Sequence, residues 1–203
     1  MIAEPLARES LAHEMAGLAT VLRRSTVEVR DGGRGAGSGI IWHADGLIVT
    51  NAHVARADRT TIVLWDGRTY EGHVTARDPK RDLATIAIDA HDASLPSAAL
   101  GHPTDLRTGD LVVALGSPLG ITGALAMGVV HTVEGRGGAP RWIRADIRLA
   151  PGNSGGPLAD ARGRVVGINT LIAYGLGVAV PITTVHRFLD AVHPRGGSRH
   201  RAA

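Results

Sequence analysis

Beyond Arg24 the chain consists of short apolar runs separated by glycine, proline and asparagine. Runs this short, interrupted by turn-forming residues, restrict the chain to a fold built from strands. The 203 residues include 27 glycines and 10 prolines, which break helices and occupy tight turns. Runs such as STVEVR alternate between apolar and polar residues, a pattern typical of half-buried strands. Many short strands in two groups, with almost no helix between them, predict an all-β fold of paired barrels or a sandwich.

Two helices are predicted, one at each end of this strand-rich region. Apolar residues recur every three or four positions over residues 6–22, which indicates an amphipathic helix. A short closing helix is predicted over residues 185–192. The basic residues that follow, 194–203, are predicted to form a disordered tail.

The two groups of strands are predicted on either side of a connector. The connector, residues 91–105, lacks periodicity and contains two prolines. Ahead of it, a glycine-rich turn over 32–39 precedes a hairpin that turns at Asp45-Gly46. The strands predicted in this first group are 25–30, 39–43, 46–54, two that flank Asp66-Gly67, and 82–89. Five or six further strands are predicted over 106–185.

Composition excludes several classes of function. There is no cysteine, so neither disulfides nor thiol chemistry are available. The net charge is only +3 and no basic run is interleaved with stacking aromatics, so nucleic-acid binding is not expected. No metal-ligand spacing and no phosphate-binding loop occur, and we expect no cofactor and no metal. Aromatic residues make up 3% of the chain, so the core must consist of Val, Ile, Leu and Ala.

The N-terminus carries charges throughout and has no continuous apolar segment of the kind that a secretory signal requires. No stretch approaches the length of a membrane span. As written, the sequence therefore predicts a cytoplasmic protein without membrane association. A start codon further upstream would instead allow a periplasmic or secreted one.

The most turn-prone stretch, LAPGNSGGPL at 149–158, places Ser154 among glycines. Glycine lets the backbone turn back on itself, so that successive amides can point to one spot beside the hydroxyl. We expect an oxyanion hole in the tripeptide of Gly152, Asn153 and Ser154, with the amides of Gly152 and Ser154 as donors. The alternative interpretation is an ordinary solvent-exposed loop.

A nucleophilic serine needs a base, and His53 is the strongest candidate among ten histidines. It ends the predicted strand GLIVTNAHV, so that a rigid element would carry its ring. Asp82 begins the apolar strand DLATIAI and is the carboxylate that could hold the histidine in one tautomer. Taken singly, each residue also has a structural explanation: a buried core histidine, and a strand-end cap or a partner of Arg81.

Three short motifs in this order resemble the catalytic motifs of the trypsin-fold serine proteases, specifically the HtrA (Deg) family. They are TNAHV at 50–54, DLA at 82–84 and GNSGGP at 152–157. The run into the histidine, GSGIIWHADGLIVTNAHV, and the strand after the serine, GRVVGINT, are also similar. The likeness covers roughly residues 20 to 190, and the three motifs together are highly specific.

The resemblance implies two perpendicular six-stranded β-barrels, the chymotrypsin fold, over residues 25–193 after a helical segment at 1–24. The active site then lies in the cleft between the barrels. His53 takes the proton of Ser154 and returns it to the leaving amine, while Asp82 orients His53. The implied activity is that of a serine endopeptidase (EC 3.4.21 class) that hydrolyses unfolded or misfolded proteins in protein quality control.

The resemblance also implies where the primary specificity pocket lies, namely just before the serine and along the next strand. Its wall would be formed by Arg148, Leu149, Ala150, Thr170, Leu171 and Ile172. Leu149 and Leu171 would make a small apolar pocket that accepts Val, Ala or Ile. Arg148 departs from the small residue usual there: pointing inward it would favour acidic residues, pointing outward it leaves the aliphatic preference. The Thr170 hydroxyl is expected to support Asp82.

Other departures bear on regulation. The family usually carries PDZ domains and an export signal or membrane anchor, and this sequence predicts neither. Asn153 replaces the aspartate that pairs with a new N-terminus in digestive proteases, so zymogen cleavage is not expected. Ordering of two glycine-rich loops, Gly116–Gly123 and Tyr174–Gly177, is the expected switch. Family members often form trimers, a role open to the helix at 6–22, whose apolar stripe would equally pack on its own barrel.

Two other functions compete with proteolysis. A protease-like binding or chaperone module with little turnover would have lost a serine, histidine or oxyanion glycine, and none is lost. An esterase of the α/β-hydrolase type would match G-x-S-x-G at Gly152–Gly156 loosely. That fold needs long helices between its strands and the order Ser, Asp, His, and the chain has neither.

Overall fold

The computed structural model describes residues 4–32, 35–90, 94–117, 123–136 and 139–193. Within these residues the strands close into two antiparallel barrels of six strands each, with a helix before the first barrel and another after the second. The predicted pair of six-stranded barrels and the trypsin-like fold are thereby confirmed. The predicted tail, 194–203, lies outside the described residues.

The first barrel closes in the order β1-β2-β3-β6-β5-β4, with β4 paired back to β1. Its strands are β1 (Thr26–Arg30), β2 (Ala36–Ile41), β3 (Leu47–Thr50), β4 (Arg59–Val63), β5 (Thr69–Asp78) and β6 (Leu83–Ile88). The β3–β6 pairing sets Thr50 opposite Ala84. The residues that follow β3 and those that precede β6 therefore meet at one end of the barrel.

The second barrel closes in the order β10-β11-β12-β9-β8-β7. Its strands are β7 (Leu111–Gly116), β8 (Ala124–Arg136), β9 (Ala139–Ile147), β10 (Pro157–Asp160), β11 (Val165–Ala173) and β12 (Leu176–Pro181). The chain crosses between the barrels over 94–102 with one isolated bridge, between Leu100 and Val165, followed by a single 3-10 turn at Pro103–Asp105. The predicted connector is therefore correct where it is described, residues 91–93 lying outside the described part.

Two boundaries in the first barrel differ from the sequence prediction. The glycine-rich stretch predicted as a turn up to residue 39 enters strand β2 at Ala36. Its glycines serve close packing, because a Cβ at Gly39 would lie 2.9 Å from Ile48. The strand predicted to carry His53 ends earlier, at Thr50, and His53 lies in the following turn. Asn51 makes this turn by accepting the backbone amides of Val54 and Ala55 at 3.1 Å through its carbonyl oxygen.

Both predicted helices are present and slightly longer than expected. Helix α1 spans Glu4–Ser25, and helix α2 spans Ile182–Val192. Leu22 of α1 is buried between the barrels, and Met15 and Ala19 pack beside it. Val21, on another side of the helix, is 58% exposed. Of the two roles left open for the apolar stripe, the structure shows packing on the chain's own barrels. Neither helix is long and apolar enough to cross a membrane, among the residues that are described.

The core has three parts, all made mainly of aliphatic residues as the composition predicted. One fills each barrel, around Ile62 and Ile86 in the first and around Ile143 and Val166 in the second. The third lies between the barrels and the two helices, and includes Val49, Leu115 and Phe188. Because this third part joins the two barrels, residues at the ends of strands from both barrels hold fixed positions along their cleft.

Candidate active site

The Ser154 loop connects β9 to β10 through two consecutive turns. The amide of Asn153 donates to the carbonyl of Ala150 at 3.0 Å, and the amide of Gly156 donates to the carbonyl of Asn153 at 3.0 Å. Gly152 and Gly155 have φ angles of 105° and 83°. Only glycine adopts such angles without strain, which explains why this serine is set among glycines.

Strand β11 holds the loop from the side of the second barrel. The Gly155 amide donates to the Asn169 carbonyl at 2.8 Å, and the Asn169 amide donates to the Gly156 carbonyl at 2.9 Å. The Asn169 side chain, which is buried, donates to the carbonyl of Pro157 at 2.8 Å. The nucleophile candidate is therefore set on a rigid ladder rather than on a free loop.

Two amides of this loop are left available. Within the described part of the chain, the amides of Gly152 and Ser154 donate to no protein acceptor, whereas the Asn153 amide is used in the turn. These are the two amides that the sequence analysis named as candidate donors, and Asn153 lies between them. Two free amides on alternate residues are the kind of donors that can bind an oxyanion together.

His53 and Asp82 come together where β3 ends and β6 begins. The His53 Nδ1 and the Asp82 Oδ2 lie 2.7 Å apart, and the His53 backbone amide donates to Asp82 Oδ1 at 3.0 Å. Asp82 has a φ of 54°, in the left-handed region that few residues other than glycine adopt. The Asn51 side chain donates to the Asp82 carbonyl at 2.8 Å and supports this conformation.

Thr170, on β11 of the second barrel, connects the serine to the carboxylate. Its hydroxyl donates to Asp82 Oδ2, as the resemblance implied. Its backbone carbonyl accepts a hydrogen bond from the Ser154 hydroxyl at 3.1 Å. Thr170 is 3% exposed, so it lies behind the site rather than forming a free pocket wall.

The charge of Asp82 is stabilised in this environment. Burial raises the pKa of its carboxyl, but hydrogen bonds from the His53 ring, the Thr170 hydroxyl and the His53 amide together lower the pKa below its usual range. An ionised carboxylate that accepts from Nδ1 leaves the other ring nitrogen, Nε2, without the proton in the neutral imidazole. That nitrogen is the one suited to accept a proton.

His53 and Ser154 line one cavity of about 200 Å³ between the two barrels. Gly152, Pro151 and Arg56 also line it. The Ser154 hydroxyl is directed to the Thr170 carbonyl in this structure, and catalytic hydrogen bonds are often incomplete before a substrate is bound. The cavity therefore presents a hydroxyl, an imidazole and free amides to the same bound group.

The residues expected around the specificity pocket divide into two sets. Leu149 packs on the core of the second barrel, and Ala150 is half-buried. Leu171 and Ile172, next to Thr170 on β11, are 49% and 54% exposed. Arg148 is exposed, which is the arrangement under which an aliphatic preference was expected.

The structure describes the second of the two expected switch loops in full and only the ends of the first. The base of the first is closed by the Gly123 amide, which donates to the Gly116 carbonyl at 2.9 Å, while residues 118–122 lie outside the described part. The second is a tight turn between β11 and β12, with Tyr174 and Gly175 at φ angles of 54° and 80°. Tyr174 is 99% exposed.

Ser38 is a residue of this region that the sequence analysis missed. It lies on β2 of the first barrel, is fully buried, and bonds to the Ser154 loop of the second barrel. The sequence analysis assigned its segment to a turn because of the flanking Gly37 and Gly39. The sequence marks it only as a serine between two glycines before an apolar run, which does not indicate its contact with the Ser154 loop.

A methyl group at Gly155 should destabilise the fold severely. Its Cβ would lie 2.0 Å from the Ser38 carbonyl oxygen and 2.3 Å from the Thr50 hydroxyl, at a φ of +83°. Strain and overpacking add about 1–3 kcal/mol each, so Gly155→Ala should lower the free energy of unfolding by about 2–6 kcal/mol in urea titration.

Gly67 provides the matched control for this prediction. It has a φ of +87°, but a Cβ there would meet nothing within 4 Å. Gly67→Ala should therefore show the backbone strain alone, about 1–3 kcal/mol. Equal losses in the two variants would contradict the tight fit between Gly155 and the first barrel.

Comparisons with known proteins point to a single family. Residues 37–168 match the family of the trypsin-like peptidase domain. The chain is 42% identical over 159 residues to HhoA from Synechocystis, a match that covers 73% of this chain and 40% of HhoA. It is 40% identical over 185 residues to the serine protease HTRA4 from Mus musculus, which covers 86% of this chain and 38% of that protein.

A mitochondrial relative gives a similar result. The chain is 41% identical over 162 residues to the serine protease HTRA2 from Bos taurus, covering 75% of this chain and 35% of that protein. The chain thus aligns with well under half the length of each of these relatives. The matched region, residues 37–168, contains Ser38, His53, Asp82 and Ser154.

Proposed function

The chain belongs to the trypsin-like serine proteases of the HtrA family, and from that premise we propose that it is a serine endopeptidase acting through Ser154, His53 and Asp82. The observation that carries the proposal is the pairing of His53 with Asp82 at 2.7 Å, on the wall of a cavity that Ser154 shares. The two residues lie in the first barrel and the serine in the second.

In the proposed mechanism the Ser154 hydroxyl first leaves the Thr170 carbonyl by rotation about its Cα–Cβ bond. His53 then takes the hydroxyl proton at Nε2 while the serine oxygen attacks the peptide carbonyl. The tetrahedral intermediate carries its negative charge on the former carbonyl oxygen, which the amides of Gly152 and Ser154 bind. His53 returns the proton to the leaving amine. Water then attacks the acyl group while His53 takes a proton from the water, and His53 returns that proton to the Ser154 oxygen as the acyl group leaves.

Asp82 acts through His53 in this proposal. It accepts a hydrogen bond from Nδ1–H, fixes the ring orientation and stabilises the imidazolium while the second proton is on Nε2. Its lowered pKa keeps it ionised throughout the neutral range. The Thr170 hydroxyl, bonded to the same carboxylate oxygen, holds it from the second barrel.

We propose unfolded or misfolded proteins as substrates, cleaved after small aliphatic residues, in a role in protein quality control. Exposed Leu171 and Ile172 on β11 offer apolar contacts to an extended chain, and unfolded proteins expose both extended backbone and apolar side chains. The exposed position of Arg148 favours the aliphatic over the acidic preference. The names of the relatives describe serine proteases and support the peptidase assignment.

The test compares an unfolded and a folded substrate. Dye-labelled casein should be cleaved, and a folded protein of similar size, such as native ribonuclease, should remain intact under the same conditions. Peptide sequencing of the casein products should place Val, Ala or Ile before the cut. Cleavage of both substrates at equal rates would reject the unfolded-protein specificity, and cleavage after Asp or Glu would reassign the pocket to Arg148.

A further inference from the structure

We propose that Ser38 is a positioning residue for the oxyanion hole: a hydroxyl of the first barrel that fixes the amides of the second. This inference rests on the proposed function, since it assigns a role in the same reaction. Ser38 touches neither the nucleophile hydroxyl nor the cavity, and it acts through the backbone of the Ser154 loop.

Each polar group of Ser38 has a specific partner. Its hydroxyl donates to the carbonyl of Gly152 at 2.7 Å, and its amide donates to the carbonyl of Ser154 at 2.8 Å. Its own carbonyl accepts the Thr50 hydroxyl at 2.6 Å. Ser38 therefore forms hydrogen bonds with the carbonyls at both ends of the tripeptide Gly152–Ser154.

These two carbonyls control where the free amides point. The Gly152 carbonyl and amide belong to one residue, whose φ of 105° only glycine adopts readily. Glycine has no side chain to restrict that conformation, so hydrogen bonds must select it; the Asn153 amide holds one side of the Gly152–Asn153 peptide on the Ala150 carbonyl at 3.0 Å, and the Gly152 carbonyl on the other side needs a donor. The Ser38 hydroxyl supplies that bond, and it comes from the opposite side of the cleft.

The described surroundings of this hydroxyl are tightly packed. Ser38 is fully buried, and a Cβ placed on Gly116 or Gly156 would lie 2.9 Å from its Oγ or 3.1 Å from its Cβ. Side chains are thus excluded on two sides. Without the hydroxyl, the Gly152 carbonyl loses a buried donor, and such a loss favours rotation of the peptide toward another donor.

The same oxygen also reaches a second loop. The Ser117 amide donates to the Ser38 hydroxyl at 3.0 Å, directly after β7. Ser117 is buried and stands at the entrance of the segment that Gly116 and Gly123 close. The Ser38 hydroxyl oxygen therefore connects the first barrel to the Ser154 loop and to the start of this segment.

Ser38→Ala tests the inference. A misplacement of about 1 Å in catalytic geometry costs about 100-fold, so kcat for dye-labelled casein should fall about 10- to 100-fold while KM changes by less than about twofold. The transition state alone uses the oxyanion donors, which is why the loss should appear in kcat. The pH dependence of kcat should keep its shape, because His53 and Asp82 are untouched.

Thr85→Val is the matched control. Thr85 is fully buried in the first barrel. Its hydroxyl forms a hydrogen bond with the Thr75 hydroxyl at 2.8 Å and none with the Ser154 loop. The Thr85→Val variant should lower the melting temperature by about as much as Ser38→Ala does, and its kcat should stay within about twofold of the wild-type value. A parallel loss of kcat in both variants would reduce Ser38 to a purely structural role and overturn the inference.

Substrate binding provides the second readout. In a Ser154→Ala background, adding Ser38→Ala should leave the affinity for casein unchanged, since binding does not use the oxyanion amides. A clear loss of affinity would contradict the inference. If Ser38→Ala does not fold, Ser38→Cys keeps a weaker donor at this position and should show a kcat below that of the wild type; a folded Ser38→Cys with the wild-type kcat would also contradict the inference.

Failure of this inference and failure of the proposed function look different. If the wild type neither cleaves casein nor is inactivated by a serine-directed reagent, the proposed function fails. If the wild type cleaves casein and Ser38→Ala does so with the same kcat, only the role of Ser38 fails.

Discussion

Ser154→Ala should reduce the kcat for dye-labelled casein by up to about 10⁶-fold, to the level of uncatalysed background in the assay. The alanine keeps the two free amides but removes the only atom in the proposed mechanism that forms a bond to the substrate. The measurement is the release of fluorescent peptides over several hours, at an enzyme concentration high enough to detect a few residual turnovers.

Two controls separate this loss of chemistry from a loss of structure. Ser154→Ala should keep the melting temperature of the wild type within a few degrees, because the hydroxyl makes one hydrogen bond, to the Thr170 carbonyl. Ser97→Ala, at an exposed serine of the connector, should retain full activity. A Ser154→Ala variant that still cleaves casein at a tenth of the wild-type rate would reject the mechanism.

Asp82→Asn should reduce kcat by about 10⁴-fold. The amide of asparagine offers a donor where the carboxylate accepts from Nδ1, so it favours the tautomer in which Nε2 carries the proton. Asparagine is the suitable substitute because it tolerates the left-handed φ of 54° found here, whereas alanine would add backbone strain. The expected kinetic signature is a lower kcat with KM nearly unchanged.

The lowered pKa of Asp82 adds a pH dependence to this comparison. The folded-state pKa lies below the unfolded value of about 3.9. The stability that the charged carboxylate contributes is therefore fully present above that value and is lost as the pH falls through the folded-state pKa. The difference in free energy of unfolding between the wild type and Asp82→Asn should shrink from pH 7 to pH 3. A difference that grows toward acid would contradict the direction of the shift.

Much of the architecture follows from the sequence because the sequence shows both the alternation typical of strands and the three-to-four-residue spacing typical of a helix. Alternating apolar residues such as those of TVEVR, and turn pairs such as Asp66-Gly67, define strands locally. The apolar stripe of helix α1 is equally local. What the stripe packs against is not local, and only the structure shows Leu22 buried between the barrels.

The errors of prediction arise where tertiary contacts override local pattern. Glycine normally ends a strand, but Gly37 lies within β2 because a Cβ there would meet Val54 at 2.6 Å. His53 was predicted within the strand that the apolar run from Leu47 begins, yet the Asn51 turn takes it out of the ladder. The left-handed backbone of Asp82 leaves no mark in the sequence, since it depends on bonds to His53 and Asn51.

The candidate site shows the same difference between features set by local sequence and features set by tertiary contacts. Glycines around Ser154 indicated free amides, because glycine has a conformational meaning that can be assigned locally. The role of Ser38 depends on 114 residues of separation from Gly152, and no short motif encodes that contact. A motif therefore identifies the groups that react, and the structure identifies the group that holds them.

Labelling with a fluorescent fluorophosphonate tests the central claim most directly, because this reagent forms a bond to a serine oxygen only when a base and an oxyanion site activate it. The wild type should be labelled stoichiometrically, with the adduct on Ser154 in the peptide map, and Asp82→Asn should be labelled far more slowly. Labelling confined to another residue, or no labelling of a folded wild-type protein, would contradict the account.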